Sequence, residues 1–405
     1  MKTVGIVCEY NPFHNGHKRQ LDVLRENGAE LIICAMSGNF TERGELAIAD
    51  KYVRAEAAVR CGADVVVELP FPFSSLSAEG FAMAGVHILA SLGVDTLSFG
   101  SESGDIELLR RAAKIAMSDE FISAYSEASE GSGSARAYFN TLSAFLGSDT
   151  KLSSNDILGI SYLCAIEKQG LGIDVFPVKR LGMDYKDSVL KSVMLPSATA
   201  IRDAVKSRLF GGSSSTLDEY IPKEALDTFI KASTDRLAPV FVDNVGKEIL
   251  SFFKLMTPEE ITSRAIARSG GGNCVAEDGC GIVERLCRSA HASEDIAVFF
   301  DRAYNSRYTD ARINRVILFS LLGVSNLFAK ALPEYSCLLA ANKNGREYLS
   351  QLRKSESFPI VTKPADAPED DVVTKLSRSA DELYCCAMPD PQCDGFFVKK
   401  RPFIS

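Results

Sequence analysis

Two of the chain's four histidines, His14 and His17, stand three residues apart in Val7-Cys8-Glu9-Tyr10-Asn11-Pro12-Phe13-His14-Asn15-Gly16-His17. On a helical turn that spacing lets both imidazoles face the same way. Upstream, Val4 to Val7 is an apolar, β-branched run that reads as a buried strand. Asn11-Pro12 breaks it, because proline brings no donor to a sheet ladder. Beyond Asn15-Gly16, Leu21, Val23 and Leu24 interleave with Lys18, Arg19, Asp22 and Arg25, the pattern of a surface helix. The histidines therefore fall where a first strand hands over to a first helix. Unpaired N–H groups and the positive end of the helix dipole collect there. Gly16 lets a ligand approach the backbone, so the stretch is expected to cradle phosphate. Imidazole N–H groups would stabilise charge growing on phosphoryl oxygens in a transition state. The plain alternative is two histidines satisfying a loop. A zinc pair lacks a third ligand at matching spacing.

The elements that must hold this stretch follow from periodicity. Leu31 to Met36, Val65 to Pro70, Thr96 to Gly100 and Ile173 to Val178 read as further strands. Helical patterns separate them: Asp50, a candidate N-cap, to Arg60; Ala78 to Leu92; and Asp156 to Lys168. Strands alternating with helices predict an α/β fold, a Rossmann-like parallel sheet with right-handed crossovers. Its ligand site belongs beyond the carboxyl ends of the strands, where Tyr10 to His17, Ser37 to Phe40 and Gly100 to Glu102 fall.

After Arg202 the pattern changes. Gly211 to Ser215 resembles a hinge, and Gly131 to Ser134 a surface loop. Helical patterns at Lys223 to Ala232, Asp243 to Leu255, Ile282 to Cys287 and Ala311 to Leu322 follow, with few convincing buried strands. Ser269 to Gly272 and Pro364 to Asp371 have loop composition. The expected division is a catalytic domain over 1–208 and a mainly helical domain over 209–405.

A net charge of −8 argues against a surface built entirely for nucleic acid, DNA included, but leaves room for a local basic patch. The N-terminus enters a strand at once and no apolar run is long enough to span a bilayer, so a cytoplasmic, membrane-free protein is expected. Cys8, Cys34, Cys61 and Cys164 sit in or beside apolar segments and read as small buried hydrophobes. Cys274, Cys280, Cys287, Cys385, Cys386 and Cys393 lack the paired spacing of a structural zinc site, and reduced thiols are expected.

His14-Asn15-Gly16-His17 after a first strand resembles the H-x-G-H motif of the nucleotidyltransferase superfamily. The wider series is similar to the bacterial tRNA(Met) cytidine acetate ligase family: Glu9 to His17, Met36 to Phe40 with Arg43-Gly44-Glu45, Phe99 to Glu102, Ser154 to Gly159, Lys179-Arg180 and Ser197 to Arg202. The resemblance implies an enzyme that activates acetate with ATP, as acetyl-adenylate, and acetylates N4 of the wobble cytidine of elongator tRNA(Met), releasing AMP and pyrophosphate. It implies that Val7 to His17 line the ATP site with His14 and His17 on the phosphates. Gly100, Asn155 and Arg180 would complete it, and Ser197, Thr199 and Arg202 would form a phosphate-binding helix start. Mg²⁺ is the chemical default at the phosphates. Without the family, Asn155 reads as a helix cap, Arg180 as a surface charge, and Ser197 to Arg202 as a capped surface helix.

For RNA, Arg307, Tyr308, Arg312 and Arg315 form the best local patch, suited to phosphate contact and base stacking or, without a partner, a solvated helix face. Arg302 and the tract Lys399-Lys400-Arg401 could add to it. Lys51 and Arg54 would hold pyrophosphate or RNA, or form a solvated face. No general base for N4 stands out; Asp156 reads better as a first-turn carboxylate. Two other readings compete: a small-molecule adenylyltransferase using the same H-x-G-H chemistry, and a nucleotide- or RNA-binding module without catalysis.

Overall fold

The computed structural model describes residues 2–129, 134–147, 152–180, 197–209, 217–278, 281–352, 358–393 and 395–405. Gly131 to Gly133 of the expected loop, the expected hinge at Gly211 to Ser215 and Cys280 lie outside the described residues, whereas Ser134 opens a helix, Ser134–Leu146.

Eight strands make the sheet: β1 Thr3–Cys8, β2 Leu31–Ser37, β3 Val65–Leu69, β4 Thr96–Ser101, β5 Asp174–Lys179, β6 Ser336–Ala341, β7 Ile360–Val361 and β8 Phe403–Ile404. Their order is β5-β4-β1-β2-β3-β6-β7, with β8 also on β6. The first five are parallel, as the alternation of strands and helices predicts. Every residue of β2 and β3 is buried, which is why both read as mostly apolar runs. From β1 the chain moves outward to β2 and β3, then returns to the opposite side of β1 as β4. That reversal splays the loops leaving β1 and β4 and opens a crevice at their carboxyl ends.

The sheet does not end with the amino-terminal half. β6 lies antiparallel to β3, pairing Val65 with Ala341 and Val66 with Ala340, and carries β7 and β8 on its other edge. Strands are scarce after Arg202 among the described residues, as expected, but those present extend the sheet of the amino-terminal half. One apolar core runs without interruption from Val4 to Phe397. Among the described residues no helix is long and apolar enough to cross a membrane.

Helix Lys51–Arg60 starts at Asp50, whose carboxylate accepts from the Tyr52 and Val53 N–H groups. Its Lys51 and Arg54 are neither solvated nor open to a ligand. The Lys51 ammonium lies 2.8 Å from Glu68 on β3 and 2.8 Å from Asp381 on helix Val372–Ala387. Asn39 joins them, donating to Asp381 and accepting from the Lys51 N–H. Burial opposes the charged lysine, yet the two carboxylates hold its pKa well above the ordinary value. One ammonium serving two carboxylates leaves each under-neutralised, and burial pushes Asp381 up to about 6. Arg54, 2% exposed, donates to the carbonyls of Glu9, Ser37, Gly38 and Ala49. It ties together the loops leaving β1 and β2.

Candidate active site

His14 is the N-cap of helix Asn15–Glu26. Its Nδ1 accepts the Gly16 N–H at 3.0 Å, while His17 Nδ1 accepts the His14 N–H at 3.3 Å. This is a capping box built from two imidazoles rather than from serine and glutamate. The rings stack at 3.7 Å, with Tyr10 and Phe13 packed against His17. Tyr10 is buried and holds a left-handed φ of 47°, a strained turn that brings the chain off β1 and over the ring pair.

The box corrects one expectation. The first-turn amides are not left open for an anion: Asn15 N–H goes to the Tyr220 carbonyl, Gly16 N–H to His14 Nδ1, and His17 N–H to the His14 carbonyl. What the turn offers is imidazole. Each Nδ1 accepts a backbone N–H, so the proton of each neutral ring sits on Nε2. Burial, with the Arg180 guanidinium nearby, lowers the His14 pKa to about 4. Burial, then His14 and Arg180, holds His17 well below its usual range. Both rings are thus neutral Nε2–H donors at ordinary pH.

These rings line a cavity of 370 Å³ at the crevice between β1 and β4. On the side of β4 and β5, Gly100 forms part of its wall, and a Cβ there would press at 3.3 Å on the Arg180 side chain. Glu102 accepts from Asn155 at 2.6 Å and pairs with Arg180 at 3.3 Å. Asn155 is therefore not the helix cap; Ser153 caps helix Ser154–Lys168. Asp156 is occupied by Ser101, Ser103 and Ser153, and its pKa is lowered by those hydrogen bonds against the opposing effect of burial. Its oxygens are engaged in these local hydrogen bonds.

Across the cavity, Arg202 of helix Ala198–Leu209 donates to the Asn11 carbonyl at 2.9 Å and reaches Thr199 and Glu45. Three carboxylates belong to this side. Glu9 accepts the Glu42 N–H at 2.7 Å, Glu45 pairs with Arg202, and Glu42 pairs with Arg315 at 3.0 Å. Burial pushes Glu42 up to about 7 despite Arg315. Arg19 also lines the cavity, and its Nε is buried without a hydrogen-bond partner, a donor left unmet by the protein itself.

Of the residues expected at the nucleotide, Val7, Cys8, Glu9, Tyr10, Asn11, His14, Gly16, His17, Gly100, Asn155, Arg180, Thr199 and Arg202 line this one cavity. Phe13 sits behind His17, Pro12 lies in the turn between Asn11 and Phe13, Asn15 holds the Glu219 carbonyl, and Ser197 accepts the Ala200 N–H. Sequence reasoning missed Arg19, Thr41, Glu42 and Tyr162. Glu42 stood beside the quoted Arg43-Gly44-Glu45, which was the available signal.

The patch expected for RNA divides. Arg315 is 7% exposed and clamped between Glu42 and Glu277, so it is no surface cation. Arg312 reaches the Glu277 carbonyl from the same helix face. The Tyr308 ring is buried beneath Arg307 and Arg312, at 5.3 and 5.1 Å, and is not open for a base to stack on.

Residues 1–395 match the family described as HIGH Nucleotidyl Transferase. A tRNA(Met) cytidine acetate ligase of Syntrophotalea carbinolica is 37% identical, over 89% of this chain and 85% of that one. The enzyme of the same name from Caldanaerobacter subterraneus is 33% identical over 100% and 98%. A crystal structure of Thermotoga maritima TmcAL bound with alpha-thio ATP superposes with a TM-score of 0.85 at 30% identity, over 100% of this chain and 99% of that one. With its neutral imidazole pair at the β1–β4 crevice and these full-length likenesses, the chain belongs to the tRNA(Met) cytidine acetate ligase family of HIGH nucleotidyltransferases.

Proposed function

We propose that the cavity binds ATP and acetate, and that the enzyme transfers the acetyl group to N4 of the wobble cytidine of elongator tRNA(Met). The observation that carries this reading is the imidazole pair: two neutral Nε2–H donors on the wall of a cavity that also holds Arg19, Arg180 and Arg202. A carboxylate oxygen of acetate attacks the α-phosphorus, the bond from that phosphorus to the bridging oxygen breaks, and pyrophosphate leaves. Charge grows on phosphoryl oxygens during this step, and preorganised donors stabilise it without reorganising. The cytidine N4 then attacks the acyl carbon, and AMP departs with the former acetate oxygen while N4 loses a proton. An exocyclic cytosine amine is a weak nucleophile, so the mixed anhydride supplies the driving force.

Mg²⁺ enters with ATP as part of the substrate, held chiefly by phosphate oxygens and water. Glu9, Glu42 and Glu45 are the cavity carboxylates able to meet its water shell. Asn155 and Arg180, joined through Glu102, hold the nucleotide on one side, and Thr199 and Arg202 on the other. Residues 1–208 carry the chemistry, and 209–405 hold the RNA, with Arg307 and Arg312 as phosphate contacts. A wobble nucleotide must leave its stack to reach the site, at a cost of a few kcal/mol.

Two measurements test this. Radiolabelled pyrophosphate should exchange into ATP only when acetate is present, and tRNA(Met) incubated with acetate and ATP should gain N4-acetylcytidine. Exchange without acetate, or unmodified tRNA, would remove the proposal.

A further inference from the structure

A second cavity, of 570 Å³, lies away from the nucleotide site, between helices Pro258–Ser269 and Val372–Ala387 and the chain at Gly395 to Lys399. Its polar lining is Arg264, Arg268, Arg378 and Lys399, with Ser379 and one carboxylate, Glu382. Four cations thus face one anion in a chain of net charge −8. Glu382 is already in use, accepting the Gly395 N–H at 3.0 Å. Among the described residues none of the four cations makes an ion pair. Two of them have neutral partners: Arg264 donates to the Ser320 carbonyl and lies over the Phe252 ring, and Arg268 donates to Ser379.

The cluster is built rather than incidental. Arg264 and Arg268 are four apart on one helix, so they share a face. They lie across Gly323, whose left-handed φ of 75° ends helix Asp310–Leu322. A Cβ there would meet the Arg268 side chain at 2.5 Å and the Arg264 guanidinium at 3.3 Å. Gly323 thereby leaves the room in which the two side chains rest. Like charges held together without a counter-ion oppose each other: burial, then Arg268, lowers the Arg264 pKa. A bound anion with several acceptor oxygens would relieve that opposition.

We propose that this basic pocket grips the phosphodiester backbone of the tRNA substrate, a docking point separate from the catalytic cavity; the inference rests on the reading of the chain as a tRNA ligase. The charge complementarity suits a phosphate chain, since guanidinium forks match phosphate oxygens. Helix Val372–Ala387 carries both features: Arg378 and Ser379 line the pocket, while Asp381 holds Lys51 and Asn39.

The experiment compares tRNA(Met) binding to the full-length enzyme, its R268A/R378A variant and its R268K/R378K variant across a series of salt concentrations. Wild-type binding and acetylation report on the functional reading; the difference between variants reports on the pocket. The alanine variant should bind tRNA at least about tenfold more weakly, with a log–log salt slope shallower by about 2, because two phosphate contacts are gone. Acetate-dependent pyrophosphate exchange should be unchanged, which shows an intact fold, and the lysine variant should recover the slope. Unchanged affinity and slope in the alanine variant, a loss the lysine variant shares in full, or a parallel loss of pyrophosphate exchange each overturns the proposal.

Discussion

A histidine whose Nδ1 accepts a backbone N–H can be protonated only by losing that hydrogen bond, so the imidazole box couples catalysis to stability. The His14 pKa is lowered to about 4 in the fold against an ordinary 6.5. Between those values the unfolded chain binds the extra proton, so stability rises with pH through the window and is fully present above 6.5. The gap corresponds to about 3 kcal/mol from this residue, lost as pH falls from 6.5 to about 4. Denaturant titrations should show that loss, and a shallower one in His14→Asn, where the amide can still cap the helix without titrating. An identical pH profile in the variant would mean that His14 does not carry the effect. His17→Ala removes one Nε2–H donor and should slow the acetate-dependent reaction by about 10²-fold. Because the rings stay neutral, neither should impose a protonation limb near pH 6.5 on the wild-type rate, which a pH–rate profile of acetyl-adenylate formation checks.

At the scale of elements, the site depends on loops pinned from beneath and behind. The loop from Asn39 to Ala47 is closed by the Phe40–Leu46 bridge and presses on helix Asp310–Leu322 at Gly44. Gly44 has a left-handed φ of 70°, and a Cβ would fall 2.6 Å from the Arg315 backbone nitrogen. Gly44→Ala should cost more than about 1 kcal/mol from backbone strain alone, and it should raise KM for ATP by displacing Glu42 and Glu45. An unfolding midpoint and KM equal to wild type would contradict this. The Lys51 cluster pins the neighbouring strand end. Asp381→Leu leaves a buried charge with one partner fewer and should destabilise by about 3 kcal/mol or more, as should Lys51→Met. A double-mutant cycle in chemical denaturation should give a large coupling, the double variant being more stable than the sum of the singles implies. Additive losses would show that the two groups act independently. This cluster was not legible in Asp50-Lys51-Tyr52-Val53-Arg54, because its partners come from other elements, Glu68 17 residues and Asp381 330 residues from Lys51. The strand-to-helix turn was legible, since its signals are local: a β-branched run, a proline break and an amphipathic period. Even there, the fate of the first-turn amides was not, since the Tyr220 carbonyl that takes one of them comes from a distant segment.

Over the whole molecule, the same contrast decides which strands could be read. β1, β2 and β3 are rich in valine and isoleucine and announce themselves. β6 is Ser336-Cys337-Leu338-Leu339-Ala340-Ala341, without a single β-branched residue, and its leucines and alanines favour helix by propensity. Its place in the sheet is set by burial against β3, a tertiary effect that no local pattern carries. This bears on how the amino-terminal segment can be studied. A fragment ending at residue 208 would leave β3, buried along its whole length, as an exposed apolar edge with open hydrogen-bonding groups. It would also strip Asp381 from Lys51 and Arg315 from Glu42, leaving charged side chains short of a partner. The fragment should therefore aggregate or fail to unfold cooperatively, with ATP binding lost along with the fold rather than with any catalytic group. Size-exclusion chromatography, thermal melts and ATP titration of the fragment beside the intact chain test this. A monomeric fragment that melts cooperatively and binds ATP within about threefold of the full protein would show that the five parallel strands suffice. If it fails as expected, loss of activity in the fragment says nothing about RNA, and point substitutions in the second cavity become the sharper probe.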